Sequence, residues 1–176
     1  MWKTNPQFNL DGERNIWIVK PAGSSRGRGI VLYKNLVEIV DLCCNKANKT
    51  CDLMQWIVQK YIENPLLVLN RKFDIRLWVL ITDWNPLTIW IYAEPYIRFP
   101  ASDFSFENIS NRYAHLSNNS VCKNAAKVST THDIEGNMWR LDQLTDHLKE
   151  EYGYDVWEDV IHEKIKNVVI NTMESV

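Results

Sequence analysis

The chain has 176 residues, of which 45% are hydrophobic, and a formal net charge of −2. This length and composition fit one domain or two small lobes around a sizeable core. The nearly balanced charge argues against a generally basic nucleic-acid binder, and no apolar run is long enough to span a membrane. The cysteines form no CxxC pair, so we interpret Cys43, Cys44, Cys51 and Cys122 as reduced thiols of a cytoplasmic protein.

The first half of the chain is predicted to hold three short strands and one helix. Each predicted strand is a short apolar run that ends near a polar residue or a proline, and the helix follows Asn35, a residue type that caps helices. In chain order, the predicted elements are an irregular lead-in at 1–15, strands at Ile16–Lys20 and Ile30–Tyr33, a helix with Leu36, Ile39, Val40 and Cys43 on one face, a polar linker at Asn45–Asp52, and a strand at Gln55–Ile62.

The second half is predicted to hold a β-hairpin and two closing helices. The hairpin is indicated by Asp83-Trp84-Asn85-Pro86, a strong turn signal between two β-rich runs. The predicted elements are strands at Lys72–Thr82, Leu87–Glu94 and Tyr96–Phe99, an irregular polar segment at 100–135, and two helices, the second with Trp157, Val160, Ile161, Ile165, Val168, Val169 and Met173 along one face. This order predicts an α+β fold with two lobes and mostly antiparallel sheets.

The segment Lys20–Gly29 holds three cations and three glycines in ten residues. Glycine lets backbone N–H groups approach an anion closely, and lysine and arginine supply charge and donors for phosphate oxygens. An exposed turn with solvated charges is the alternative. Lys20 favours the phosphate loop, because a lysine at the end of an apolar strand requires an anionic partner.

Charged and apolar residues alternate along the predicted strand from Lys72. With a period of two, Lys72, Asp74, Arg76 and Trp78 share one face, and Phe73 and its apolar neighbours share the other. One interpretation is a cleft floor, where Asp74 accepts from ribose hydroxyls and the two cations neutralise phosphate. The other is a ladder of cross-strand ion pairs on a wet sheet face.

Two further segments give weaker signals. Trp56–Glu63 is an apolar strand that turns polar before a proline, and its edge can offer backbone groups to an adenine ring or can be an ordinary strand end. His115–Ser120 is a loop of hydrogen-bonding residues that composition alone interprets as a turn. The histidines have no metal-ligand spacing, so no histidine metal site is expected.

Five segments in this order resemble the tubulin tyrosine ligase-like family, and two more resemble its tubulin monoglycylase branch. The five are Ile16–Pro21, Ser25–Ile30, Val58–Ile62, Arg71–Arg76 and His115–Ser120. The two are Thr82–Thr88 and Asn137–Trp139. The resemblance covers nearly the whole chain and implies a partial ATP-grasp fold, in which two lobes hold ATP between β-sheets. The implied domains are the lead-in at 1–15, a small lobe with the phosphate loop at 16–54, a hinge at 55–65, and a larger lobe at 66–176 that is incomplete at its C-terminus.

The resemblance also implies a role for each matching residue. Arg26 and Arg76 are the implied catalytic residues, with Arg26 near the acceptor and Arg76 at the acyl-phosphate intermediate. The implied nucleotide ligands are Lys20, Arg26 and Gly27 at the phosphates, Gln59, Lys60, Tyr61 and Ile62 at the adenine, Lys72, Phe73 and Asp74 along the nucleotide, and Ser117 and Asn118 completing the site. We therefore expect Lys20, Arg26, Lys72, Asp74 and Arg76 to converge on one cleft.

The function implied by the resemblance is an ATP-dependent ligase that joins glycine to glutamate side chains of tubulin C-terminal tails. Its implied partners are ATP, Mg²⁺, glycine and microtubules of the cytoskeleton, in the cilium or flagellum axoneme, without nucleic acid or membrane. The family's magnesium carboxylates lie on strands after the final helix, so we expect the metal ligands beyond Val176 and no ligase activity from the isolated chain. A non-catalytic module that binds nucleotide or tubulin tails is the alternative.

Overall fold

The computed structural model describes residues 7–45, 55–125 and 130–175, which form two compact units. The first unit combines the described residues up to Phe73 with Phe99–Asp133, and the second combines Asp74–Arg98 with the described residues from Ile134 onward. The chain thus leaves the first unit after Phe73 and returns to it at Phe99. The lobe boundaries implied by the resemblance stay a prediction.

Short elements build both units. The first unit holds α1 (Phe8–Asp11), β1 (Trp17–Pro21), β2 (Val31–Tyr33), α2 (Leu36–Asn45), β3 (Trp56–Lys60), α3 (Arg112–His115) and α4 (Asn119–Cys122). The second holds β4 (Asp74–Arg76), β5 (Val79–Trp84), β6 (Leu87–Ile91), β7 (Tyr96–Arg98), a 3₁₀ turn (Glu135–Asn137), β8 (Met138–Arg140), α5 (Leu141–Tyr152), a π-helical turn (Trp157–Ile161) and α6 (His162–Glu174). All strand pairs of these elements are antiparallel, and the predicted α+β class with closing helices is confirmed.

The first sheet has the order β2-β1-β3, with β1 in the centre. The central residue Val19 is fully buried and lies opposite Val31 on one side and Val58 on the other. Next to this sheet, the buried side chains of Ile16, Leu32 and Tyr61 form a core cluster. The predicted cap of α2 is confirmed, because the Asn35 Oδ1 accepts from the Val37 amide at 2.9 Å.

Glu63 fixes the entry to β1. Its carboxylate is 2% exposed and accepts from the amides of Arg14 at 2.6 Å and Ile16 at 2.9 Å, and from the Lys60 Nζ at 2.6 Å. Burial alone would raise the pKa of Glu63, but these hydrogen bonds and the Lys60 charge outweigh it and lower that pKa. The predicted lead-in is not wholly irregular, because it contains α1 and because Glu63 holds its backbone by the hydrogen bond to Arg14.

The segment predicted to be irregular and polar at 100–135 is instead partly helical and contributes to the core. Phe104, Phe106 and Ile109 pack against the Ile16 cluster. The buried guanidinium of Arg71 donates to the carbonyl of Pro100 at 3.3 Å and to that of His132 at 2.6 Å. Polar composition concealed these contacts, because the apolar residues are spaced without strand or helix period.

The predicted strand Lys72–Thr82 is wrong as a single element. Strand β4 pairs with β7 in the sheet β4-β7-β8, whereas β5 pairs with β6 in a separate hairpin. The ladder therefore breaks at Leu77 and Trp78, where the chain changes partners. Lys72 precedes β4, and Val79 is 37% exposed rather than facing a core.

The closing helices follow their predicted pattern with one exception. Leu144 and Leu148 of α5 and Trp157 of the π-helical turn are buried, but Val168 of α6 is 64% exposed and does not belong to the apolar face. Among the described residues, no helix has the length and apolar character needed to cross a membrane. Cys43, Cys44 and Cys122 are free thiols; Cys51 and most of the predicted polar linker lie outside the described residues.

We predict that Glu63→Gln lowers the free energy of unfolding by about 1–3 kcal/mol, because a charged acceptor buried among three donors is replaced by a neutral one. The folded-state pKa of Glu63 is depressed, so its contribution is present above the unfolded pKa and is lost as the pH falls through the folded one. Urea unfolding of the variant and of a matched control, Glu107→Gln on an exposed glutamate, measures this. Equal stabilities of the two variants would contradict it.

Candidate nucleotide and phosphate site

The glycine-rich loop after β1 is tied to α3 and α4 by its backbone. The Arg26 carbonyl accepts from the Ser120 Oγ at 2.8 Å, and the Gly27 carbonyl accepts from the Arg112 Nη2 at 2.9 Å. Arg26 and Gly27 both adopt positive φ, at 59° and 75°. The loop backbone is therefore held in place, while the Arg26 side chain is exposed.

Gly27 brings two of the predicted motifs together. It is buried, and a Cβ added to it would lie 2.8 Å from the Asn118 Oδ1 and 3.0 Å from the Val121 Cγ2. Only glycine fits both this space and this φ without strain. The predicted phosphate loop and the predicted segment Ser117-Asn118 thus lie side by side.

Lys20 and Gln59 contact each other directly across the first sheet. The Lys20 Nζ donates to the Gln59 Oε1 at 2.9 Å, and both residues are predicted ligands. A neutral amide does not neutralise an ammonium group. Among the described residues, Lys20 has no carboxylate partner, and an anion could pair with its ammonium group.

The predicted adenine hinge lies at the end of the edge strand β3, and some of its groups already make other hydrogen bonds. The Lys60 Nζ is used by Glu63 and by the Asp11 carbonyl at 2.7 Å, and the Tyr61 amide donates to the Ile16 carbonyl at 3.0 Å. Because backbone groups alternate in direction along an antiparallel strand, those of Lys60, the last residue of β3, point to the opposite edge. Within the described part of the chain, no strand pairs with that edge of β3.

Tyr61 links two other residues in a buried network. Its hydroxyl lies 3.1 Å from the His115 Nδ1 and accepts from the Lys72 Nζ at 3.3 Å, and the Lys72 ammonium also lies 5.2 Å from the centre of the Tyr61 ring. Burial raises the pKa of Tyr61. Burial, together with the Lys72 charge, lowers the pKa of His115 to about 4, so the imidazole is neutral near pH 7. The predicted ligand Lys72 thus contacts both the hydroxyl and the ring of Tyr61. The neighbouring Phe73 ring packs against Phe99.

In the second unit, Asp74 is paired with a cation that the sequence did not indicate. Arg98 lies directly opposite on β7 and donates to both carboxylate oxygens, at 2.9 and 2.5 Å. Arg76 is exposed, with its guanidinium 6.0 Å from the centre of the Trp78 ring. The ion-pair interpretation is thus correct for Asp74, but its carboxylate stays 40% exposed and open to a further donor. Since Asp74 and Arg76 belong to one unit and Lys20, Arg26 and Lys72 to the other, the single cleft stays a prediction.

Four residues of these networks were missed as contributors. They are Arg98, Arg112, His115 and Ser120. Arg98 could have been found by pairing the predicted strand at Tyr96 with the one at Asp74. The other three act through contacts distant in sequence; His115 and Ser120 lie in the predicted segment His115–Ser120, but the sequence did not indicate their partners.

Other parts of the structure offer weaker sites. A pocket of about 560 Å³ in the second unit contains none of the predicted ligands, and charged residues that line it are paired, Arg140 with Asp142 and Asp155 with Lys149. In residues 7–45, 55–125 and 130–175, no three His, Cys, Asp or Glu side chains are grouped so as to hold a metal ion. The first unit therefore contains the better candidate, a cationic loop beside polar side chains.

A glycine-rich cationic loop beside an edge strand on an antiparallel sheet is the kind of site that binds the phosphates and base of a nucleotide. The sequence profile described as the tubulin-tyrosine ligase family matches residues 3–176, and the chain belongs to this family. It is 52% identical over 168 residues to tubulin glycylase 3D of Tetrahymena thermophila, and 42% identical over 172 residues both to human tubulin monoglycylase TTLL3 and to mouse protein monoglycylase TTLL8.

These alignments cover almost all of this chain but a small part of each relative. They include 95%, 97% and 96% of the chain, and 16%, 22% and 20% of the respective relatives. The family and the glycylase resemblance predicted from the sequence are confirmed. For this chain, the activity of the complete relatives is therefore a proposal.

Gly27→Ala is predicted to destabilise the first unit by at least about 1–2 kcal/mol, the cost of a left-handed conformation for a residue with a Cβ, plus the clash with Asn118. The matched control is Gly23→Ala in the same loop, where a Cβ would meet no atom within 4 Å. Thermal unfolding of both variants measures the difference. A Gly23→Ala variant as unstable as Gly27→Ala would show that the loop is not packed as described.

The neutral His115 makes stability depend on pH. Between its ordinary pKa of 6.5 and about 4, the unfolded chain binds a proton that the folded chain does not. The contribution of His115 to the free energy of unfolding is complete above this window. It falls as the pH drops, by up to about 1.4 kcal/mol per pH unit. We predict that His115→Gln flattens this slope, whereas His132→Gln, on an exposed histidine, retains it. Urea midpoints across the window test this, and equal slopes in the two variants would refute it.

Proposed function

We propose that this chain carries the nucleotide-binding core of a ligase that uses ATP to join glycine to glutamate side chains of tubulin tails. The observation that carries the proposal is the junction of the cationic loop with Asn118, in a chain 52% identical to a tubulin glycylase. The names of the relatives support a ligase over a non-catalytic binding module. The partners we propose are tubulin tails, in microtubules of the cytoskeleton and of the cilium or flagellum.

The proposed reaction has two steps. A glutamate carboxylate oxygen attacks the γ-phosphorus of ATP, an O–P bond forms as the bond to the β-phosphate bridging oxygen breaks, and ADP leaves. The glycine amine then attacks the acyl carbon, a C–N bond forms, phosphate leaves with the C–O electron pair, and the amine loses a proton. Negative charge collects on the transferred phosphoryl group, so cations fixed beforehand lower the barrier.

The first unit supplies the features that such a reaction requires. Lys20 donates to the neutral amide of Gln59, Arg26 projects from a fixed backbone, and Lys72 donates to Tyr61. These three cations are proposed to contact the phosphates. The backbone groups of Lys60 and Ile62 are proposed to hydrogen-bond the adenine, with Gln59 beside them.

The remaining predicted residues have narrower proposed roles. Ser117 and Asn118 are proposed to complete the site beside the phosphate loop. Phe73 and Asp74 are proposed to hold the nucleotide, and Arg76 is proposed to stabilise the acyl phosphate. Mg²⁺ would neutralise phosphate charge. The described residues contain no group of three or more His, Cys, Asp or Glu side chains that could hold a metal ion. No step of this proposal therefore depends on a metal ligand from them.

A substitution at Asp74 tests whether this residue binds the nucleotide or only stabilises the sheet. Asp74→Asn is expected to weaken ATP binding by roughly tenfold to a hundredfold, the cost of a lost charge-assisted hydrogen bond of about 1.5–3 kcal/mol. Arg98→Gln is the matched control, because it removes the same ion pair and leaves the carboxylate in place. Its expected cost is about 0–1 kcal/mol of stability, with a much smaller effect on ATP. If both variants lose stability alike and neither changes ATP affinity, Asp74 is a structural residue only.

A chimera tests the activity. In Tetrahymena tubulin glycylase 3D, the matched region is replaced by this chain, and transfer of labelled glycine to tubulin is measured with and without ATP. We expect ATP-dependent transfer that is abolished by Lys20→Met and retained in Lys34→Met, a change at an exposed lysine. A chimera that folds and binds ATP but transfers no glycine would favour the non-catalytic module.

A further inference from the structure

A second basic feature lies next to the phosphate loop. A pocket of about 350 Å³ in the first unit is lined by Arg26 and Arg28 of the loop, Arg112 of α3, and Lys123 just after α4. None of the described residues that line it is acidic. In a chain whose net charge is −2, four cations around one pocket are a pronounced local excess of positive charge.

These charges are not compensated within the described residues. Arg26, Arg28 and Lys123 are exposed and belong to no ion pair in the part of the chain that the structure describes. Arg112 uses its Nη2 on the Gly27 carbonyl, a neutral acceptor. An anion entering the pocket would therefore gain favourable interactions without breaking an existing ion pair.

The frame of the pocket is already fixed. The Ser120 Oγ donates to the Arg26 carbonyl at 2.8 Å, the Asn124 Nδ2 donates to the Ser120 carbonyl at 2.9 Å, and the Tyr113 hydroxyl donates to the Asn124 carbonyl at 3.3 Å. These bonds join the three segments that contribute the cations. Little backbone ordering is then required on binding, which favours affinity.

We propose that this pocket binds the side-chain carboxylates of an acidic peptide. The proposal rests on the proposed function, since it assigns a place to carboxylates that flank the acceptor glutamate. Cations from three segments around an open pocket match several carboxylates along a chain better than one compact phosphate. Tyr113 and Val121 also line the pocket and supply apolar surface for the methylene groups of glutamate.

The test is peptide binding, which requires no catalysis. A fluorescent peptide of alternating glutamate and glycine is titrated with the 176-residue chain at low salt, and the same peptide with glutamine in place of glutamate is the ligand control. Lys123→Glu is expected to weaken binding by about tenfold or more, because it removes one charged donor and adds a like charge. Lys164→Glu on α6, an exposed lysine of the second unit, makes the same change in net charge and is expected to alter binding by no more than about twofold.

Each outcome decides between sources of the effect. Equal weakening by Lys123→Glu and Lys164→Glu, or equal binding of the glutamine peptide, would overturn the proposal that this pocket binds carboxylates. Loss of ATP affinity in Lys123→Glu, with competition by inorganic phosphate, would make the pocket a phosphate subsite and also overturn it. Lys123→Gln, with its melting temperature, checks that the fold is intact. If the parent chain binds the peptide but not ATP, the proposed function fails while the pocket stands.

Discussion

Two hydrogen bonds to backbone carbonyls hold the candidate site together. The carbonyls of Arg26 and Gly27 accept from Ser120 and Arg112, which lie 94 and 85 residues further along the chain. Because the acceptors are main-chain atoms, the loop is fixed without using its own charged side chains. The glycine at position 27 makes this approach possible, since any Cβ would occupy the space of Asn118. Everything proposed for the phosphate loop and for the neighbouring basic pocket depends on this junction.

The cations of the two units are compensated in two different ways. Lys60 and Arg98 are each neutralised by a carboxylate, Glu63 and Asp74 respectively, and these pairs hold the backbone in place. Lys20 and Arg112 instead contact a neutral amide and a neutral carbonyl, and neither belongs to an ion pair among the described residues.

Local signals in the sequence predicted the elements that local interactions determine. The strand before Lys20, the cap of α2 at Asn35 and the hairpin turn at Asn85 were all found, because each depends on a few adjacent residues. The break after Arg76 was not, because it follows from a change of strand partners. The contribution of Phe104 and Phe106 to the core was missed because their segment has no strand or helix period and their core partners are distant in sequence. In the candidate site, resemblance indicated Gly27 and Asn118, but their contact and the anchoring role of Arg112 are visible only in three dimensions.

The discontinuous first unit has a consequence for synthesis on the ribosome. Strands β1 to β3 emerge well before Phe104 and Phe106, which cover the cluster of Ile16, Leu32 and Tyr61. During that interval the apolar face of the nascent sheet has no cover, and exposed apolar surface of this kind favours aggregation or chaperone binding. The first unit is therefore expected to fold only after its second segment has left the exit tunnel. Translation speed across the intervening residues 74–98 would then influence how much of the protein reaches its native state.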